Sequence, residues 1–172
     1  MTKTVHNFPV LFLLLILSQM VISNYFNFSL FVTLSILPAI VMCIPVSVST
    51  LASMVIAFVT GLSVDVMADG VIGLNALALV PVALLRRTFI RIFLGEDIIN
   101  RNEDFTFRKN GIAKVSLVMF CSIVLFFGIY VIADCAGMRP AWFCIVKIAA
   151  STLVSYIVSL LAVSILTSKD RQ

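Results

Sequence analysis

Charge is what this sequence has least of. Only 12% of its 172 residues are Asp, Glu, Lys or Arg, about half the share of a soluble domain, while 62% are hydrophobic and the mean hydropathy is +1.17. A water-soluble domain of this length has too much surface to hide so large an apolar fraction, because area falls only slowly with mass. The solvent for most of the chain is therefore lipid. Histidine is nearly missing too: His6, in the N-terminal tail, stands alone. The four cysteines, Cys43, Cys121, Cys135 and Cys144, include no Cys-x-x-Cys pair. These two shortages argue against zinc or haem, and no cofactor or metal is expected. The sequence also lacks a Gly-x-Ser-x-Gly elbow, a phosphate-cradling Gly-rich loop ending in Lys, and an HExxH helix. A protein that is not an enzyme is the expectation.

What is present is a series of apolar runs. They predict an all-α, polytopic integral membrane protein, one transmembrane domain over residues 1–172. Six short spans are expected, at about 9–23, 28–44, 46–64, 71–85, 113–133 and 141–166. A helical crossing takes about 20 residues, so several of these are short and imply local thinning of the bilayer. Pro45 closes the second run, since it cannot donate a backbone bond and disfavours helix before it. The first run follows Lys3 as a signal peptide would, but no small-x-small cleavage site comes after it, and it reads as an uncleaved span.

The one long polar segment is 86–112. It opens on Arg86-Arg87-Thr88-Phe89-Ile90-Arg91-Ile92-Phe93-Leu94, a mixture suited to a helix end at headgroup level, and continues as a solvated loop. With six spans, ten of the 12 basic residues fall on one side: Lys3, those between Arg86 and Lys114, Lys169 and Arg171. By the positive-inside rule that side is cytoplasmic, as are both termini. The same rule accounts for the net charge of +4, so nucleic acid is not an expected partner. Four spans plus a re-entrant hairpin around Asp65–Gly73 keeps the charges together equally well.

Function, if legible anywhere, lies in the stretch from Gly61 to Leu77. Acidic residues in or beside a bilayer persist where they pair, cap a helix or line a polar path. Gly61 and Asp65 are four apart and share a helical face if the third helix continues that far. Gly70, Gly73 and Ala76 are three apart, a small-residue stripe that lets another helix approach. Three readings of Asp65 stand: it ends the third helix and, with Asp69, caps the fourth; it locks the bundle by bonding across helices; or it serves a proton or ion relay. Ser151, Ser155 and Ser159 form a second close-packing seam in the last span, for an internal or a partner contact. Lys147 is expected to snorkel outward beside the interfacial Trp142, or to pair with Asp65, Asp69 or Asp134. Cys43 and Cys121 sit in apolar runs as small hydrophobes. Cys135 and Cys144 flank one short loop, where a disulfide requires that loop to face an oxidising space.

The pattern Gly61-Leu62-x-x-Asp65, Gly70-x-x-Gly73-Leu74-x-Ala76-Leu77, followed by apolar residues and Arg86-Arg87, resembles the MreD family of bacterial rod shape-determining membrane proteins. Chain length, short spans and a basic loop after the fourth agree with it, whereas Asp69 is an extra acid outside the pattern. The resemblance implies a non-enzymatic subunit of the inner (cytoplasmic) membrane that scaffolds peptidoglycan synthesis. The implied partners are a single-span periplasmic protein of the MreC type and, through it, an MreB-like filament and a RodA-type glycosyltransferase with its class B penicillin-binding protein. It also implies a fold like that of the substrate-binding subunits of energy-coupling-factor transporters. A small-molecule-binding subunit of such a transporter is thus the rival expectation. Against it, the first span, Phe8 to Leu17, is bulky throughout, where those subunits present small residues for docking.

Overall fold

The computed structural model describes residues 8–26, 32–69, 71–95, 112–135 and 139–169, with side chains described over 13–24, 32–67, 71–95, 113–135 and 139–161. All regular structure among them is helical. The helices are α1 (Phe8–Phe26), α2 (Leu37–Met42), α3 (Thr50–Val64), α4 (Leu74–Leu94), α5 (Ile112–Cys135) and α6 (Ala141–Lys169). A single π-helical turn, Asp65–Asp69, extends α3. Among the described residues, three stretches are long and apolar enough to cross a membrane: Thr50–Met67, Ala113–Cys135 and Ala141–Leu161.

Around an apolar core, large hydrophobic side chains also cover the outside, and several polar ones are held within. Large apolar side chains such as Leu51, Met67, Ile72 and Ile132 are about seven-tenths exposed. Meanwhile Gln19, Asp65, Asn75 and Arg86 are buried to 3% exposure or less. Apolar residues facing outward and polar residues facing one another is the arrangement lipid selects, because an unpaired polar group in hydrocarbon costs several kcal/mol. This is a membrane protein.

Consecutive long helices pack in series, α3 on α4, α4 on α5 and α5 on α6. The centre belongs to α2, which touches all five other helices. Its six residues are all buried. At 1.5 Å per residue it is only about 9 Å long. The expected second span, 28–44, is therefore not one continuous helix. Residues 33–36 are non-helical, α2 starts with Pro38 in its first turn, and 43–49 form turns closed by Ser49, whose Oγ caps α3 by accepting from Ala52 N at 3.3 Å. Two further expectations change. The fourth helix begins at Leu74 and runs on to Leu94, so the first nine residues of the segment 86–112 are helical. Arg86, in the expected polar segment, is fully buried within the protein. The remainder of that segment, 96–111, lies outside the described residues.

Candidate functional site

The stretch singled out from sequence folds into one corner. Because the chain leaves α3 through a π turn, Asp65 points at the start of α4, whose first amides have no partner of their own. The Oδ2 atom accepts from Gly73 N at 2.9 Å and Ala76 N at 3.3 Å. The Oδ1 atom accepts from Asn75 N and Asn75 Nδ2, each at 2.9 Å. A carboxylate with no solvent exposure thus meets three backbone amides and one side-chain amide at the positive end of a helix dipole. Asp65 is at once the cap of α4 and the bond between α3 and α4, which are two of the three readings above; the corner holds no further described acid in line with it. The side chain of Asp69 lies outside the described residues.

Gly61 sits one turn before Asp65 on the same face. A Cβ built there would stand 2.6 Å from both Cα and N of Ala76, so only glycine allows this approach of α3 to α4. Gly73 acts differently. It precedes α4 with φ of +96°, and a Cβ there would meet nothing within 4 Å. Its role is conformational, to turn the chain into α4, and not to pack closely. The stripe Gly70–Gly73–Ala76 is consequently not a helix face: α4 starts only at Leu74, Gly70 lies outside the described residues, and Ala76 alone is a close-packing position. Asn75, between the motif's fixed positions, is the member that sequence reasoning passed over. An amide side chain inside an apolar run was the available signal.

The serine seam of α6 has an internal partner. Ser151 Oγ accepts from Thr33 N at 2.9 Å, and Ser155 Oγ accepts from Ser35 N at 3.0 Å. The register has a simple origin. Two extended residues advance about 6.6 Å and four helical residues about 6 Å, so every second amide of the non-helical segment meets every fourth residue of α6. The next pair in step would be Leu37 with Ser159. At Leu37, however, α2 begins and the rise per residue falls by half. Leu37 N donates to Ser35 Oγ at 3.3 Å instead, and Ser159 Oγ is left buried without a partner among the described residues. Gln19 of α1 completes the set: Oε1 accepts from Ile36 N at 2.7 Å, and Nε2 donates to Ser23 Oγ at 2.9 Å and Leu34 O at 3.4 Å. Irregular backbone survives in a membrane protein only when its polar groups are matched internally, and these side chains match them.

At the far end of the same segment the carbonyls find arginine. Arg86 donates from Nη2 to Ile44 O, and Arg87 Nη2 donates to Val48 O at 3.2 Å and Val46 O at 3.5 Å. At the opposite end of α4, α5 and α6 are tied by Lys147, whose Nζ donates to Asp134 Oδ2 at 2.7 Å. Lys147 therefore takes the ion-paired form of the two expected. Arg139 lies 4.7 Å over the Phe143 ring, and Trp142 is exposed beside it. A shallow groove of about 520 Å³ between α5 and α6 is lined by apolar side chains and Thr152.

Among the described residues these groups form hydrogen-bonded ties between helices; none pairs a nucleophile with a base. Comparison of the chain with protein-family models, with curated proteins and with solved structures returns no match.

Proposed function

We propose that the chain is a non-enzymatic scaffold subunit of the bacterial cell-elongation machinery, of the MreD type, seated in the inner membrane. The observation that carries this reading is the convergence of Gly61, Asp65, Gly73 and Ala76 on one corner. Residues scattered through a motif by chance in an apolar sequence have no reason to meet in one hydrogen-bonded unit. The polar interior, spent on holding helices together, also favours a scaffold over a catalyst. In this reading the chain binds a single-span periplasmic protein like MreC and, through it, a RodA-type synthase with its penicillin-binding protein and an MreB-like filament.

The proposed topology keeps six passes, with the second one broken. Thr33 and Ser35 advance alongside Ser151 and Ser155, so this segment runs in the direction of α6, and its later carbonyls reach Arg86 and Arg87 towards the end of α4. Its parallel run along α6, and the reach of its later carbonyls to Arg86 and Arg87, support reading this segment as the second pass. Both termini and the segment 96–111 then lie in the cytoplasm with most of the basic residues. The likeness in fold to energy-coupling-factor substrate subunits belongs to the same proposal.

Depletion of the protein in a rod-shaped host tests the function. Cells should round, and the tagged chain should bring down a single-span periplasmic protein from solubilised membranes. Rods of normal width after depletion, with no such partner recovered, overturn the proposal.

A further inference from the structure

We propose that Cys135 and Cys144 are a redox-active pair that closes into a reversible disulfide and staples α5 to α6 at their shared end. The argument starts from the ion pair. Lys147 and Asp134 meet at 2.7 Å and fix how the end of α5 sits against the beginning of α6. Cys135 follows Asp134 directly, and Cys144 lies one turn before Lys147 on the same side of α6. That register puts both cysteines at the shared end of α5 and α6. Cys135 belongs to the buried apolar cluster at this end, and Cys144 packs against that cluster. Both thiols are free in this structure, with Cys135 buried and Cys144 half-buried.

Exposure sets the order of events. Cys144, the more accessible sulfur, attacks as thiolate one sulfur of a disulfide oxidant and displaces the other as a thiolate. Cys135 then loses its proton, attacks the Cys144 sulfur of the mixed disulfide, and expels the oxidant's second sulfur. Two S–H bonds are lost, one S–S bond forms, and the oxidant leaves as a dithiol carrying both protons and both electrons. The co-reactant is a protein disulfide of the oxidising space outside the inner membrane, so the proposal rests on the orientation given above, which puts this corner on the outer face.

Thiol counting on the full-length chain tests it. Cells are quenched in acid, the chain is denatured and alkylated, and its intact mass is measured with and without prior reduction. Two of the four cysteines should take up label before reduction and four after it, with peptide mapping placing the blocked pair at Cys135 and Cys144. Cys135→Ser should free Cys144 for labelling without changing Cys43 or Cys121. Four labelled thiols in the unreduced sample overturn the proposal, and a second arm says how. The chain, solubilised in detergent, is exposed to an oxidised small dithiol. If two thiols become blocked there, the geometry holds and the orientation is wrong; if all four stay free, the pairing itself is wrong, whatever the orientation.

Discussion

Gly61 and Ala76 meet backbone to backbone, in a contact that a single methyl group would close to 2.6 Å. Neither partner can give way, since the atoms that the methyl group would strike belong to the main chain of α4. Gly61→Ala should therefore separate α3 from α4 and cost about 1–3 kcal/mol, the usual penalty for overpacking. A lowered midpoint of thermal unfolding in detergent checks it. An unchanged midpoint would show that the corner can loosen without loss.

Asp65 supplies two oxygens to four donors, and its substitutions should be graded accordingly. Asp65→Asn retains one acceptor oxygen and loses the charge, which leaves part of the α4 cap unmade, for a loss on the order of 1–3 kcal/mol. Asp65→Leu strands all three backbone amides in the interior and should cost more than the Asn variant, enough to abolish stable accumulation in membranes. Equal behaviour of the two variants in unfolding and in membrane yield would contradict the cap.

Three serines of one stripe should give opposite answers. Ser151→Ala and Ser155→Ala each orphan an amide, half-buried at Thr33 and buried at Ser35, and should each cost about 1–3 kcal/mol. Ser159→Ala removes a buried hydroxyl that has no partner among the described residues, and its effect should stay within about 0.5 kcal/mol or be stabilising. Unfolding midpoints of the three variants, compared side by side, decide between this and a simple small-residue seam. In a seam made only by size, all three would be neutral.

The ion pair of Lys147 with Asp134 is partly open, the Asp134 side chain being 33% exposed. A double-mutant cycle with Lys147→Met and Asp134→Asn should give a coupling of only about 0.2–1 kcal/mol, shrinking as salt is raised. A coupling several times larger would mean the pair is shielded from solvent.

Composition carries the membrane setting and the apolar runs carry the all-helical class, and the Asp65 corner is legible because its members lie close together in sequence. The broken second segment was not legible. Residues 28–44 are as apolar as their neighbours, so hydropathy reads them as one span. What permits the break is Gln19, 17 residues from Ile36, and Ser151 and Ser155, 118 and 120 residues from the amides they serve. No local pattern holds that information. Arg86 misled for a related reason. Side by side, Arg86 and Arg87 open the polar segment of the sequence, and only the three-dimensional position of the Ile44 carbonyl draws Arg86 inside.

The dependence of α2's neighbourhood on Ser151 and Ser155 bears on how the chain is made. Synthesis exposes Thr33 and Ser35 to the membrane long before the ribosome reaches α6, so these amides must wait, hydrated or held by an insertase, until the final helix arrives. A nascent protein cut short ahead of residue 141 can never close its own interior. The helix α6 is thus the latch of the molecule, the last piece needed before the broken segment near α2 has its amides matched.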